Sequence, residues 1–122
     1  MKMNRIAILI ALTAIIGAAL PVNAQRALDQ DYFTANDTPE NKELLEDVDF
    51  YHTREADKFV YKGKTEDALL ELIYVLDTFP NHPKALQLVG AIARIRKVPE
   101  IAIPFYQKAL RLYPQHALTY AL

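Results

Sequence analysis

The stretch LDTFPNHPKAL, residues 76–86, returns 34 residues later as LRLYPQHALTY, residues 110–120. In each, an apolar run with helical spacing ends in an aromatic residue, a proline, an amide and a histidine. Proline has no backbone N–H and does not continue a helix, so each stretch predicts a boundary between two helices. A boundary that recurs at one fixed offset indicates an internal repeat.

The repeat predicts two full copies, residues 49–82 and 83–116, and the start of a third, residues 117–122. Each copy has apolar residues at helical spacing on both sides of a short turn, residues 62–64 and then 96–98, so each predicts two helices. In the first turn, Gly63 suits the left-handed backbone that ends a helix. Thr65 is the predicted N-cap of the following helix. Pro104 predicts a kink or a late start in the last helix.

Upstream of the copies, the run TPENKELLEDV, residues 38–48, predicts a helix capped at Thr38 or Asp37, with Pro39 in its first turn. This helix could continue through Asp49 into the first copy. Residues 25–37 are polar and acidic with isolated apolar residues, which predicts a flexible segment.

A unit of 34 residues that forms a helix–turn–helix resembles the tetratricopeptide repeat. Small residues at the helix crossings, an aromatic residue in the second helix and closing prolines support the resemblance; these are Ala56 and Gly90, Ala68 and Ala102, Tyr106, and Pro80 and Pro114. The chain departs from the family pattern at His52, Leu72 and Leu86, where aromatic residues are typical. The resemblance implies an all-α fold, a short helical-repeat solenoid of antiparallel helix pairs over residues 38–122.

The first 24 residues have the layout of a secretory signal peptide: Lys2 and Arg5, an apolar run over residues 6–20, Pro21, and small residues before a cleavage point after Ala24. This predicts export, with the bacterial periplasm as the destination. The alternative is an uncleaved N-terminal anchor, although the apolar run is shorter than the roughly 20 residues of a membrane-spanning helix.

Charge is distributed unevenly along the remaining chain. Residues 25–49 carry eight acidic and two basic side chains, whereas residues 83–122 carry six basic and one acidic. The net charge beyond residue 24 is negative, which argues against a nucleic acid partner. Two copies make a thin core, and three explanations are open: the acidic segment folds back onto the basic second copy, the apolar end binds a partner or dimerises, or the chain is the first part of a longer array.

Enzymatic chemistry has little support in the sequence, which contains no cysteine, no serine and three histidines. No histidine pair has one-turn spacing and no phosphate-binding glycine loop is present, so no metal, cofactor or catalytic group is predicted. His82 is interpreted as a turn residue that caps the helix beginning at Pro83. The prediction is a protein that is not an enzyme.

The family resemblance implies a partner-binding groove that is formed by the first helix of each copy. On the matching faces lie Phe50, Thr53, Asp57 and Tyr61, and then Lys84, Gln87, Ala91 and Arg94. The apolar end at Leu118 and Leu122 is a second candidate contact. Thr53, Asp57 and Leu88 stand where some family members grip a chain-terminal carboxylate, so that ligand is not predicted.

The sequence therefore predicts an exported, non-enzymatic module that binds another protein or a peptide in the cell envelope. The alternative is a structural subunit anchored to the membrane by an uncleaved N-terminal helix.

Cleavage of the signal peptide can be tested by intact-mass measurement of the protein purified from its native envelope. We expect a mass that corresponds to a chain starting at Gln25. A mass that includes residues 1–24 would favour the anchored alternative.

Overall fold

The computed structural model describes residues 26–116, and every regular element in this range is helical. There are five α-helices, one π-helical segment and two short 3-10 helices between residues 32 and 112. The α-helices are α1 (Pro39–Val48), α2 (Arg54–Tyr61), α3 (Thr65–Thr78), α4 (Pro83–Arg96) and α5 (Ile103–Leu112); the π-helix is Asp49–Thr53, and the 3-10 helices are Tyr32–Asp37 and Pro99–Ile101. The predicted all-α class is confirmed for this part of the chain. Residues 1–25 and 117–122, with the predicted signal peptide and the partial third copy, lie outside it.

Helices α1 and α2 are joined into one long helix by the π-helix between them. The Thr38 hydroxyl caps its start by accepting a hydrogen bond from the Asn41 N–H at 3.3 Å. The backbone at Val48 and Arg54, on the two sides of the π-helix, keeps right-handed helical angles. The predicted continuation of the upstream helix into the first copy is therefore confirmed. The helix ends at Tyr61, two residues before Gly63, which has the expected left-handed φ of 74°.

The core is formed by α2, α3 and α4. Helix α3 packs against both α2 and α4, and α2 also contacts α4. Ala56 and Ala68, both fully buried, keep α2 and α3 close together. The largest fully buried apolar side chains are Leu72, Leu76, Phe79 and Ile92; burying one such side chain contributes roughly 1.5–3 kcal/mol.

Two helix starts can be compared with their predictions. The predicted cap at Thr65 is wrong, because Thr65 is the first residue of α3 and Lys64 precedes it without a side-chain cap. The predicted late start of the last helix is confirmed. A 3-10 turn occupies Pro99–Ile101, and α5 begins at Ile103 with Pro104 in its first turn, where a missing N–H leaves no hydrogen bond unmade.

Residues 26–37, called the N-terminal strap below, are packed against the helices. The prediction of a flexible segment is therefore wrong for these residues. The N–H groups of Asp29 and Gln30 donate to the carbonyls of Asp77 and Thr78, at 3.0 and 2.7 Å. The Lys108 ammonium lies 2.9 Å from the Asp29 carboxylate, and the Tyr113 hydroxyl donates to the Asp29 carbonyl. The acidic segment thus folds back onto the basic half of the chain, which was one of the three explanations open at the sequence level.

Gly90 brings α5 close to α4. The Tyr106 hydroxyl of α5 donates to the Leu86 carbonyl of α4 at 3.0 Å. A Cβ atom placed at Gly90 would collide with that hydroxyl. The contact therefore requires glycine, although glycine inside a helix is itself unfavourable.

We expect Gly90→Ala to destabilise the protein by about 1–3 kcal/mol in urea unfolding, as overpacking usually does. In a Tyr106→Phe background the collision is removed, and the same change should be neutral or should stabilise by about 0.5–1 kcal/mol, because alanine is the better helix former. Equal destabilisation in both backgrounds would show that the Tyr106 hydroxyl is not the reason for glycine.

Candidate partner-binding surface

A polar groove lies beside the π-helix, where α2, the start of α4 and the N-terminal strap meet. It has a volume of ≈ 320 Å³ and is lined by Tyr32, Asp49, Thr53, Arg54, Asp57, His82 and Lys84. Asp49 and Thr53 are the first and last residues of the π-helix. Such segments often occur at functional sites, because they change which side chains share a helix face.

His82 forms the floor of this groove and is almost completely buried. Its Nδ1 accepts a hydrogen bond from the Ala85 N–H at 3.2 Å, and its Nε2 lies 2.7 Å from the Asp49 carboxylate. Since a backbone N–H can only donate, Nδ1 is unprotonated and Nε2 carries the proton that is donated to Asp49. The Tyr32 ring lies against the imidazole, 4.7 Å between centroids. The prediction that His82 caps the following helix is confirmed.

Asp49 is held in its ionised form by these neighbours. Burial alone would raise its pKa, but the hydrogen bond from His82 and the positive charge of Arg54 lower the pKa below the usual value of 3.8. The groove therefore contains a carboxylate at neutral pH.

The geometry does not favour catalysis by the His82 and Asp49 pair. Both ring nitrogens of His82 already have partners, so neither is placed to take a proton from the nearby Thr53 hydroxyl. The Thr53 Oγ1 atom is buried and has no hydrogen-bond partner. Among residues 26–116, no group of three or more histidine or carboxylate side chains is arranged to hold a metal ion.

The structure brings some of the predicted binding residues together and separates others. Asp57 and Lys84 line the polar groove and form an ion pair at 3.4 Å. Tyr61 lies at the end of α2, in a neighbouring depression that it shares with Asp57, and is 93% exposed.

The remaining predicted residues lie elsewhere. Phe50 is exposed and contacts the Arg54 guanidinium, and Gln87 is exposed on α4. Arg94 does not line the polar groove but a second one, between α4 and α5. Leu118 and Leu122 lie outside the described residues. Sequence reasoning missed Tyr32, Asp49 and Arg54 as groove residues.

Within residues 26–116, no helix has the length and apolar character needed to cross a membrane. Comparison of the chain with protein-family models, curated proteins and solved structures gives no significant match.

The contribution of the His82 and Asp49 pair to stability should depend on pH. Because the pKa of Asp49 is lower in the folded than in the unfolded chain, the ionised carboxylate stabilises the fold above pH 3.8, and this contribution is lost as the pH falls through the folded-state value. In urea unfolding, Asp49→Asn should therefore be less stable than wild type at pH 7, and the difference should shrink at pH 3.

Asp47→Asn is the matched control, since it removes an exposed carboxylate from the same long helix. It should leave stability nearly unchanged at pH 7. A difference between wild type and Asp49→Asn that stays constant from pH 7 to pH 3 would contradict the role of the ionised pair.

Proposed function

We propose that the protein is an exported, non-enzymatic module of the tetratricopeptide-repeat type that binds another protein or a peptide in the cell envelope, with the bacterial periplasm as its location. The observation that carries the proposal is the recurrence of whole helical segments. Helix α3 spans Thr65–Thr78, and the later segment made of the 3-10 turn and α5 runs from Pro99 to Leu112. The first and last residues of the later segment lie 34 positions after those of α3, which is the period of the sequence repeat.

The order of the helices also supports a repeat array. In a solenoid of helix pairs, the first helix of one unit lies beside the first helix of the next. Helices α2 and α4 occupy these positions and contact each other directly. Their exposed sides at this contact form one surface, the α2–α4 surface, which carries Asp57, Tyr61 and Lys84.

The chemistry of the α2–α4 surface suits a polypeptide partner. An exposed tyrosine supplies a large contact area at a small loss of side-chain entropy, and aromatic residues are enriched in protein interfaces. The exposed Lys84–Asp57 pair contributes little to stability, as surface ion pairs generally do. A carboxylate of the partner can therefore replace Asp57 as the neighbour of Lys84 at small cost.

The test is affinity capture from the native envelope with the wild-type chain and single variants, followed by affinity measurement with the partner that is recovered. Tyr61→Ala and Lys84→Glu should each weaken binding about tenfold or more, as contact residues at interface centres do. Leu70→Ala and Lys42→Glu are matched controls, since both positions are exposed and lie on α3 and α1. They should bind like wild type.

The proposal fails if no partner is enriched reproducibly by the wild-type chain. It also fails if Tyr61→Ala and Lys84→Glu bind the recovered partner as tightly as their controls.

A further inference from the structure

A second groove lies between α4 and α5 and differs in character from the polar groove. It has a volume of ≈ 480 Å³, and its walls include Gly90, Ala93, Ala102 and Ile103, with Arg94 and Lys97 at the exposed rim. Volumes of about 300–1,000 Å³, an apolar lining and a few polar groups are typical of small-molecule sites. The Tyr106 hydroxyl in its wall is already committed to the Leu86 carbonyl.

The two copies differ at one buried position that lines the groove. The residue 34 positions before Ala93 is Phe59, which packs against the apolar core of the first copy. Replacing a phenyl ring by a methyl group leaves space that the neighbouring helices do not close. The second copy thus has a methyl group where the first has a phenyl ring.

The two cations also stand where the first copy has uncharged residues. Arg94 corresponds to Val60, and Lys97 corresponds to Gly63. Lys97 has a left-handed φ of 57°, and Gly63 has 74°. A side chain with a Cβ atom is disfavoured in this conformation, so the backbone favours glycine at Lys97. The helix dipole does not require this lysine, since Arg94 and Arg96 already supply positive charge in the last turn of α4.

The charge at the rim is uncompensated. No acidic residue lines the groove, and within residues 26–116 neither Arg94 nor Lys97 takes part in a salt bridge. The Arg94 guanidinium lies close to Gly90, at 3.8 Å from the position that a Cβ atom would take there. An apolar channel with two unpaired cations at its edge complements a ligand with one apolar tail and one anionic head.

We propose that this groove binds a free medium-chain alkyl carboxylate, with its chain along Ala93, Ala102 and Ile103 and its carboxylate between Arg94 and Lys97. This site is additional to the α2–α4 surface and does not depend on the proposed polypeptide partner. The size of the groove favours a single alkyl chain over a helix of a partner protein, whose diameter with side chains is about 10–12 Å.

Isothermal titration calorimetry of the purified protein with decanoate, below its micellar concentration, tests the proposal. Saturable binding with one site is expected. Decanol, which has the same chain without the charge, should bind about tenfold more weakly or worse, since it loses the charge-assisted hydrogen bonds. Octanoate should also bind about tenfold more weakly, because two fewer methylenes are buried.

Two variants restore the residues of the first copy. Ala93→Phe fills the groove and should abolish decanoate binding, while Leu70→Phe, at an exposed position of α3 outside the groove, should not. Lys97→Gly removes one rim cation and should weaken binding about tenfold, yet its melting temperature should equal or exceed that of wild type, because glycine relieves the left-handed backbone. Arg111→Gln removes a positive charge outside the groove and should bind like wild type.

Lys97→Gly keeps the test decisive even if Ala93→Phe does not fold. The proposal is overturned if decanoate shows no saturable binding at millimolar concentration, if decanol binds as tightly as decanoate, or if Lys97→Gly binds decanoate as tightly as Arg111→Gln. Binding of the protein to anionic phospholipid vesicles or to an acidic helical peptide, without binding of decanoate, would assign the groove to another occupant and would likewise overturn it.

Discussion

The structure depends on the imidazole of His82, in which one nitrogen atom accepts a hydrogen bond and the other donates one. Nδ1 of His82 accepts the hydrogen bond that starts α4, and Nε2–H holds the Asp49 carboxylate at the π-helix. The same ring supports Tyr32 of the N-terminal strap. Next to it, the Asn81 side chain accepts from the Tyr32 N–H and donates to Asp31. Two adjacent side chains at one helix junction thus position the long helix, α4 and the strap together, and only a neutral imidazole can make both hydrogen bonds.

The sequence was sufficient for features whose causes are local. Prolines, capping side chains and the glycine at residue 63 predicted where most helices begin and end, because these residues act on the backbone of their immediate neighbours. The repeat could not predict the pairing of His82 with Asp49, since the residue 34 positions after Asp49 is Pro83 and the second copy has no equivalent carboxylate. The order of the N-terminal strap could not be predicted for a similar reason. Its composition is that of a flexible segment, and its order comes from hydrogen bonds to residues about 50 and 84 positions away.

The sequence showed the groove between α4 and α5 only as differences between the two copies. The repeat is visible from what the copies share, whereas the groove is lined at two positions where they differ. These are Ala93, which corresponds to Phe59, and Lys97, which corresponds to Gly63. Such differences acquire meaning only when the structure shows that they line one space. The two surfaces also differ in origin: the α2–α4 surface consists of side chains that the helices expose, and the groove lies where the second copy has alanine in place of phenylalanine.

The N-terminal strap has a consequence for the order in which the chain assembles. Asp29 and its partner Tyr113 are 84 residues apart, whereas the helix pairs are built from contacts between near neighbours along the chain. Closing so long a loop costs entropy that only a completed docking surface can offset. The strap precedes all five helices in the chain, but its contacts with Lys108 of α5 and with Tyr113 just beyond it require that α5 has already packed. The strap therefore joins residues near the two ends of the described chain, and its full set of contacts exists only in the completed fold.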